Sequence, residues 1–157
     1  MSRATTSQVF AKSTAQAGVA CVCFNVRKTA RVMTQLYDDM LRPTGLRVTQ
    51  FSLLMGTRSL EPVTLLRLAK VMAMDRTTLT RNLRPLEQQK LLQIVPGEDR
   101  RERCVTLTPR GHQVLVEAFP LWDKAQAQVM DAFGRERLSL LVTELAGLRT
   151  VSRQRRQ

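Results

Sequence analysis

The chain has 157 residues, of which 43% are apolar, and it carries a formal net charge of +12 from 25 Lys and Arg against 13 Asp and Glu. This length supports one hydrophobic core and leaves no room for a second, catalytic domain, while the charge favours an anionic polymer or surface as the partner. Aromatic residues make up only 4%, too few for the stacking platforms of proteins that bind RNA or single strands, so duplex DNA is the expected partner.

We expect neither a membrane span nor a secretory signal in this sequence. No apolar run approaches the roughly 18 residues that a span needs, and the first residues lack the basic-then-apolar order of a signal peptide. We therefore expect a cytoplasmic protein without a membrane partner. Cys21, Cys23 and Cys104 are an odd number of cysteines in a chain large enough to fold without crosslinks, so we expect reduced thiols.

A loose arm and a long helix are predicted at the N-terminus. Residues 1–17 are rich in Ser, Thr, Ala and Gln, a composition that cannot offset its own ordering entropy. From Val19 onwards, apolar residues recur at steps of four and three, as on one stripe of a helix. Pro43 and Gly45 end this helix, which we place at residues 18–42.

Three shorter helices follow in the prediction, at residues 49–59, at residues 64–74 and after Asp75, whose carboxylate can cap the third. One edge of this third helix gathers hydroxyl and guanidinium groups, because residues three and four apart share a helix face. The edge consists of Arg76, Thr77, Thr80, Arg81 and Arg84. Pro85 lacks a backbone N–H and should bend the helix beyond this edge.

A β-hairpin is predicted next, with strands at residues 93–95 and 103–107. Its turn and the start of its second strand are rich in arginine. These residues are Arg100, Arg101 and Arg103. Asp99 beside them is unusual on a surface that meets phosphates, so we expect it to form a salt bridge with an arginine and to aim that side chain.

Two long helices complete the chain. Thr108 and Pro109 suit the cap and first position of the first, Pro120 should kink it, and Gly134 separates it from the second. Both helices and the N-terminal one carry apolar stripes, which a second copy of the chain could cover. We therefore expect a homodimer.

Together these elements predict a mainly α fold with a small β-wing, a winged helix-turn-helix with N- and C-terminal dimerisation helices. One domain spans residues 18–157, with a DNA-binding core at 48–108 between dimerisation helices at 18–42 and 109–152. In such a core the start of the second helix enters the major groove, where arginine can bind guanine and threonine can meet a thymine methyl or a phosphate. Wing arginines suit a narrow minor groove. Each cluster alone could be ordinary solvated surface; their proximity favours DNA.

Several stretches, taken in order, resemble the MarR (multiple antibiotic resistance regulator) family. They are Gly45-Leu-Arg-Val-Thr-Gln-Phe, Leu68-Ala-Lys, Asp75-Arg-Thr-Thr-Leu-Thr-Arg, Asp99-Arg-Arg and Leu107-Thr-Pro-Arg-Gly. The resemblance covers about residues 18–150 and implies a bacterial homodimeric transcriptional regulator, usually a repressor, on a pseudo-palindromic operator, released by a small ligand or by thiol oxidation. The chain departs from the family at Lys90, where a glycine is usual.

Cys23-Phe24, with Tyr37 further along the helix, resembles the organic hydroperoxide sensors within that family. Arg27 and Val48 stand where those sensors carry further tyrosines, so the set of hydroxyls around the thiol is incomplete. The alternative is that Cys23 only packs in a core. Cys21 would lie on another side of the same helix, so the two thiols could not easily bond to each other. A thiol-based oxidant sensor using Cys23 therefore stays open beside a ligand-released regulator.

Other chemistries find little support in the sequence. Cys-x-Cys alone is a weak metal signal, His112 has no nucleophile or carboxylate at motif spacing, and no phosphate-binding glycine loop occurs. We expect no enzyme activity, no metal and no cofactor. A non-specific basic nucleic-acid-binding protein is the remaining alternative.

Overall fold

A computed structural model describes residues 17–97, 99 and 101–151, so most of the predicted arm lies outside the described residues. The mainly helical fold with a small sheet is confirmed. In chain order the elements are α1 Val22–Leu41, α2 Val48–Arg58, β1 Val63–Thr64, α3 Leu65–Val71, α4 Arg76–Gln88, β2 Leu92–Pro96, β3 Arg103–Leu107, α5 Pro109–Phe133 and α6 Arg135–Val151.

Helix starts follow local capping chemistry, because a short polar side chain can accept the first free N–H groups of a helix. Asp75 accepts from the Thr78 N–H at 2.8 Å, and Thr108 accepts from the Gly111 N–H at 3.0 Å. Both predicted caps are confirmed. Thr64 caps α3 in the same way.

The first helix begins later than the apolar stripe indicates. Cys21 has extended backbone angles and is the N-cap of α1, where its Sγ accepts from the Phe24 N–H at 3.4 Å; residues 17–20 form a separate helical turn before it. The prediction that Cys21 and Cys23 share one continuous helix is therefore wrong. Periodicity missed this break because Cys21 lies off the apolar stripe, so a non-helical residue there leaves the spacing from Val19 to Cys23 unchanged.

The sheet has three antiparallel strands in the order β1-β3-β2. The predicted hairpin is confirmed as β2 and β3, with Ile94 opposite Val105. On the other side of β3, Val63 pairs with the same Val105. Strand β1 was not predicted, because two residues are too few to carry an alternating pattern.

The core lies between α2, α4, the sheet and the first half of α5. The largest fully buried side chains are Leu41, Leu53, Leu54, Leu68, Leu79, Leu83, Leu86, Leu92, Val63, Val105 and Thr57. Trp122 of α5 stacks on Phe51 of α2, with ring centroids 6.0 Å apart. This packing connects the long helix α5 to the DNA-binding part of the predicted fold.

Two non-glycine residues turn the chain through the left-handed region. Lys90 follows α4 at φ 57° and Ala73 follows α3 at φ 53°. At the first turn the N–H of Lys90 bonds to the carbonyl of Glu87 and that of Leu91 to the carbonyl of Leu86, each at 2.9 Å. This is the bond pattern that usually ends in glycine, so the turn does tolerate Lys90 at the family's glycine position.

Helices α1 and α6 keep apolar side chains exposed in the single protomer. Helix α6 has no buried residue, and Leu140, Val142 and Val151 are largely exposed. Between the first turns of α1 and the end of α6 lies an apolar groove of about 880 Å³, lined by Val22, Cys23, Val26, Leu145, Leu148, Arg149 and Val151. Exposed apolar surface of this extent marks an interaction face.

Candidate nucleic-acid interface

The polar edge of α4 faces solvent, as predicted. All five of its members, Arg76, Thr77, Thr80, Arg81 and Arg84, are exposed. None of the three arginines forms an ion pair within residues 17–97, 99 and 101–151. Opposite this edge, Leu79, Leu83 and Leu86 are fully buried, so packing fixes which side of the helix the cations occupy.

Hydrogen bonds within the protein determine which hydroxyl donors and acceptors the threonines on α4 keep free. The Thr80 hydroxyl donates to the Arg76 carbonyl at 2.9 Å, so its free capacity is that of an acceptor. The Thr78 hydroxyl donates to Asp75 at 2.7 Å and stabilises the cap. In the described part of the chain, Thr77 has no hydroxyl partner and keeps both its donor and its acceptors.

The cap at Asp75 should make the start of α4 sensitive to acid. Hydrogen bonds from the backbone N–H and hydroxyl of Thr78 lower the pKa of Asp75 below its ordinary 3.8. A lowered folded-state pKa means that the cap stabilises the fold above the ordinary value and that this contribution is lost as the pH falls through the folded-state pKa. We expect Asp75→Ala to lower the thermal midpoint near neutral pH and to weaken its acid dependence.

Asp75→Asn is the matched control, because asparagine caps helices without titrating. Thermal unfolding followed by circular dichroism between about pH 2 and about pH 6 makes the comparison. The Asp75→Asn protein should keep the parent's thermal midpoint at the higher pH, and its midpoint should fall less than the parent's at the lower pH. Identical pH profiles for all three proteins would contradict the capping role.

The wing presents its arginines on the exposed side of the hairpin. Arg101 and Arg103 are exposed, whereas Arg100 lies outside the described residues. The Asp99 carboxylate accepts from the backbone N–H of Arg101 at 2.9 Å and forms no ion pair with Arg101 or Arg103. Asp99 thus shapes the turn through the backbone. The predicted salt bridge does not form with Arg101 or Arg103, and only its formation with Arg100 stays a prediction.

The structure brings the helix and the wing together. A cleft of about 190 Å³ lies between them, and its lining combines the start of α3, the start of α4 and the wing. It is formed by Thr64, Leu65, Leu66, Arg76, Arg101, Glu102 and Arg103. Arg76 and the two wing arginines therefore surround one concave surface, although they are separated by more than twenty positions in the sequence. Glu102 and the exposed Leu66 on this surface were not predicted.

Glu61 anchors the base of the wing and was also missed. Its carboxylate accepts from the Leu107 N–H of β3 at 3.0 Å, and it contacts Arg58 and His112, each at 3.4 Å. Arg58 lies only three positions before Glu61, but Leu107 and His112 lie far from it in sequence, so no local pattern identifies these two partners. His112 thus has Glu61 as a carboxylate partner. This pair lies at the base of the wing, in a structural position.

The three cysteines are not among the residues that line this cleft, although Cys104 lies in β3 next to Arg103. Cys21 and Cys23 are exposed and Cys104 is half-buried in β3. Among the residues that the structure describes, no three His, Cys, Asp or Glu side chains cluster as metal ligands. Among those residues, no helix combines the length and the apolar character needed to cross a membrane.

No family model matches this sequence. The transcriptional regulator MosR of M. tuberculosis, solved in complex with DNA, is 35% identical; the match covers 87% of this chain and 99% of MosR, with a TM-score of 0.80. A mutant of MarR from E. coli, solved with operator DNA, is 20% identical, with 84% and 96% of the two chains covered and a TM-score of 0.76.

A relative known by sequence is the uncharacterized HTH-type transcriptional regulator YwoH of Bacillus subtilis. It is 31% identical over 88 residues, which are 56% of this chain and 64% of YwoH. The MosR match covers nearly all of a solved chain at a TM-score of 0.80. The chain belongs to the MarR family of winged helix-turn-helix transcriptional regulators.

Proposed function

We propose that this protein is a DNA-binding transcriptional repressor that acts as a homodimer on a pseudo-palindromic operator. The observation that carries the proposal is the shared cleft of Arg76, Arg101 and Arg103, with all three guanidinium groups exposed. The start of α4 would enter the major groove with Arg76, Thr77, Thr80 and Arg81. Arg84 would contact phosphates, and the wing, including Arg100, would reach the adjoining minor groove.

The apolar faces of α1 and α6 support the homodimer. In one protomer they leave the groove beside Cys23 open, and a second copy brings the same apolar face with two-fold symmetry. Two-fold symmetry then places two α4 helices on one side of the DNA. Half-sites about one helical turn, roughly 10 bp, apart follow from that arrangement.

A small effector would act where the dimer helices meet the core. An open cavity of about 280 Å³ is lined there by Ala30, Met33, Thr34, Tyr37, Val48 and Trp122. The Tyr37 hydroxyl donates to Gln126 at 2.6 Å, and burial raises the pKa of Tyr37, so this hydroxyl stays protonated at neutral pH. An apolar effector with one polar group would fit these walls, and tilting α1 against the core would change the spacing of the two α4 helices.

Selection of bound duplexes from a random pool tests this proposal. A repressor of this kind should enrich one palindromic sequence and prefer it over random DNA by at least about 10³. A much smaller preference would support the alternative of a non-specific basic nucleic-acid-binding protein. A bound species with one protomer per duplex would contradict the homodimer.

An oxidant sensor of the same fold is the second candidate, and the exposure of Cys23 favours it. The thiol is not packed in the core of the protomer but lines the groove that a second copy would cover, so a hydroperoxide that reaches this interface could oxidise it to sulfenic acid while being reduced to an alcohol. Cys23→Ser should then abolish release from DNA by hydroperoxide and leave binding of the reduced protein unchanged. As a control, hydroperoxide should release the Cys104→Ser protein from DNA as it releases the parent. Release of the Cys23→Ser protein by oxidant would exclude this candidate.

A further inference from the structure

The start of α2 is held by a side chain from another element. Arg47 is the N-cap residue of α2, but an arginine side chain has no acceptor for the free N–H groups of a helix. Asp38 of α1 supplies it: Oδ1 accepts from the Val48 N–H at 2.7 Å, and Oδ2 contacts Arg47 Nη1 at 3.1 Å. The Asp38 side chain is only 16% exposed, so water screens its bond to the Val48 N–H weakly, whereas the Arg47 side chain is 75% exposed and its ion pair is well screened.

This contact joins the two functional parts of the molecule. On one side, α1 carries the exposed apolar face proposed for dimerisation. On the other side, α2 is the central helix of the core, with Phe51, Leu53 and Leu54 buried against its neighbours. A carboxylate at a helix N-terminus is stabilising and directional, so the bond constrains the angle between α1 and α2.

The contact also lies beside the cavity proposed for an effector. Val48, whose N–H is the donor, and Tyr37, the neighbour of Asp38, both line that cavity. The Tyr37 hydroxyl binds Gln126 of α5, so two consecutive residues of α1 reach two different elements. A shift of α1 by a ligand would therefore strain or release the Asp38 bond directly.

We infer that Asp38 is a positioning residue for DNA binding, which holds the core at the angle to α1 that both halves of an operator require. This inference rests on the proposed homodimer on DNA. Without the bond the core samples other angles, and the apparent affinity falls with the fraction of dimers in the competent geometry. The residue itself does not contact DNA, so the dependence of binding on salt stays unchanged.

Two variants remove the bond from opposite ends. Asp38→Ala deletes the acceptor, and Val48→Pro deletes the N–H donor at the first helical position, where proline is favoured; Arg47 before it already has the extended angles φ −89° and ψ 153° that proline requires. Each should lower operator affinity about tenfold, the effect of one charge-assisted hydrogen bond between elements. The double variant should be no weaker than either single one.

Three control variants change residues at or beside the Asp38–Val48 bond without removing the bond. Asp38→Asn retains an amide oxygen that can accept from Val48, and Val48→Ala loses the side chain but keeps the N–H; both should bind within about threefold of the parent. Asp39→Ala removes the neighbouring carboxylate, which is exposed and pairs with Arg42 of the next turn, and should bind like the parent.

A distance measurement separates positioning from mere stability. Spin labels on Gln88→Cys, in a protein whose three native cysteines are serine, report the distance between the α4 helices of a dimer. Asp38→Ala and Val48→Pro should broaden this distance distribution, while Asp38→Asn should not. If both bond-deleting variants fold, keep the parent distribution and bind the operator with parent affinity, the inference is wrong.

Failure of the proposed function looks different. A parent protein that selects no duplex or remains monomeric contradicts the dimeric regulator, whatever Asp38 does. If Asp38→Ala does not fold, Val48→Pro carries the test alone, because it preserves the buried carboxylate and the helix. Operators with altered half-site spacing add a further readout: the bond-deleting variants should discriminate among spacings less sharply than the parent.

Discussion

Arg76→Ala is expected to remove discrimination at one base pair of each half-site, at a cost of about 1–3 kcal/mol. The side chain is exposed at the start of α4, forms no ion pair among the described residues and lies on the cleft shared with the wing. A bidentate contact to guanine depends on that base, so its loss should affect one position and spare the others. Binding to single-base operator variants measures this directly.

Arg101→Ala should behave differently. A wing arginine that contacts the backbone contributes to every sequence alike, so its loss should weaken all duplexes and lower the salt slope by about one per protomer. Arg137→Ala is the control: this guanidinium lies 4.4 Å from the centre of the Phe133 ring, at the far end of α5, about 37 Å from the wing base along the helix.

Equal base preferences for the Arg76→Ala and parent proteins would contradict the major-groove role.

Gly111→Ala is expected to destabilise the fold by about 3 kcal/mol or more, lowering the thermal midpoint by roughly 10 °C. A Cβ at this position would lie 1.8 Å from the Leu91 carbonyl oxygen. That oxygen also accepts from the Thr108 N–H at 3.1 Å, so it cannot move away without breaking the junction between the wing and α5. Denaturant unfolding of the purified variant gives the free energy.

Gly147→Ala is the matched control for this substitution. It lies inside α6 with no atom within 4 Å of the added Cβ, so the change should raise stability slightly through the higher helix propensity of alanine. A loss at Gly147 as large as that at Gly111 would mean that general helix effects, and not the close approach to Leu91, explain the cost.

The same junction explains one of the sequence motifs. Leu107-Thr-Pro-Arg-Gly ends β3, caps α5 through Thr108 and then requires a residue without a side chain at Gly111. The sequence indicated the cap and the proline from local chemistry. The need for glycine follows only from the packing of α5 against the turn after α4, because Leu91 lies twenty positions earlier in the chain.

Local signals sufficed for most of the helices, the hairpin and the exposed edge of α4. Caps, helical periodicity and alternation act over a few residues, and their physics is contained in short stretches of sequence. The polar edge of α4 was predictable because Leu79, Leu83 and Leu86 must be buried, and burial of one face exposes the other.

Tertiary structure alone decided how these parts meet. It brought Arg76 beside Arg101 and Arg103, paired Glu61 with β3 and placed Asp38 at the start of α2. Each of these outcomes depends on a partner that becomes a neighbour only after the chain has folded, so no pattern in the surrounding sequence could determine it.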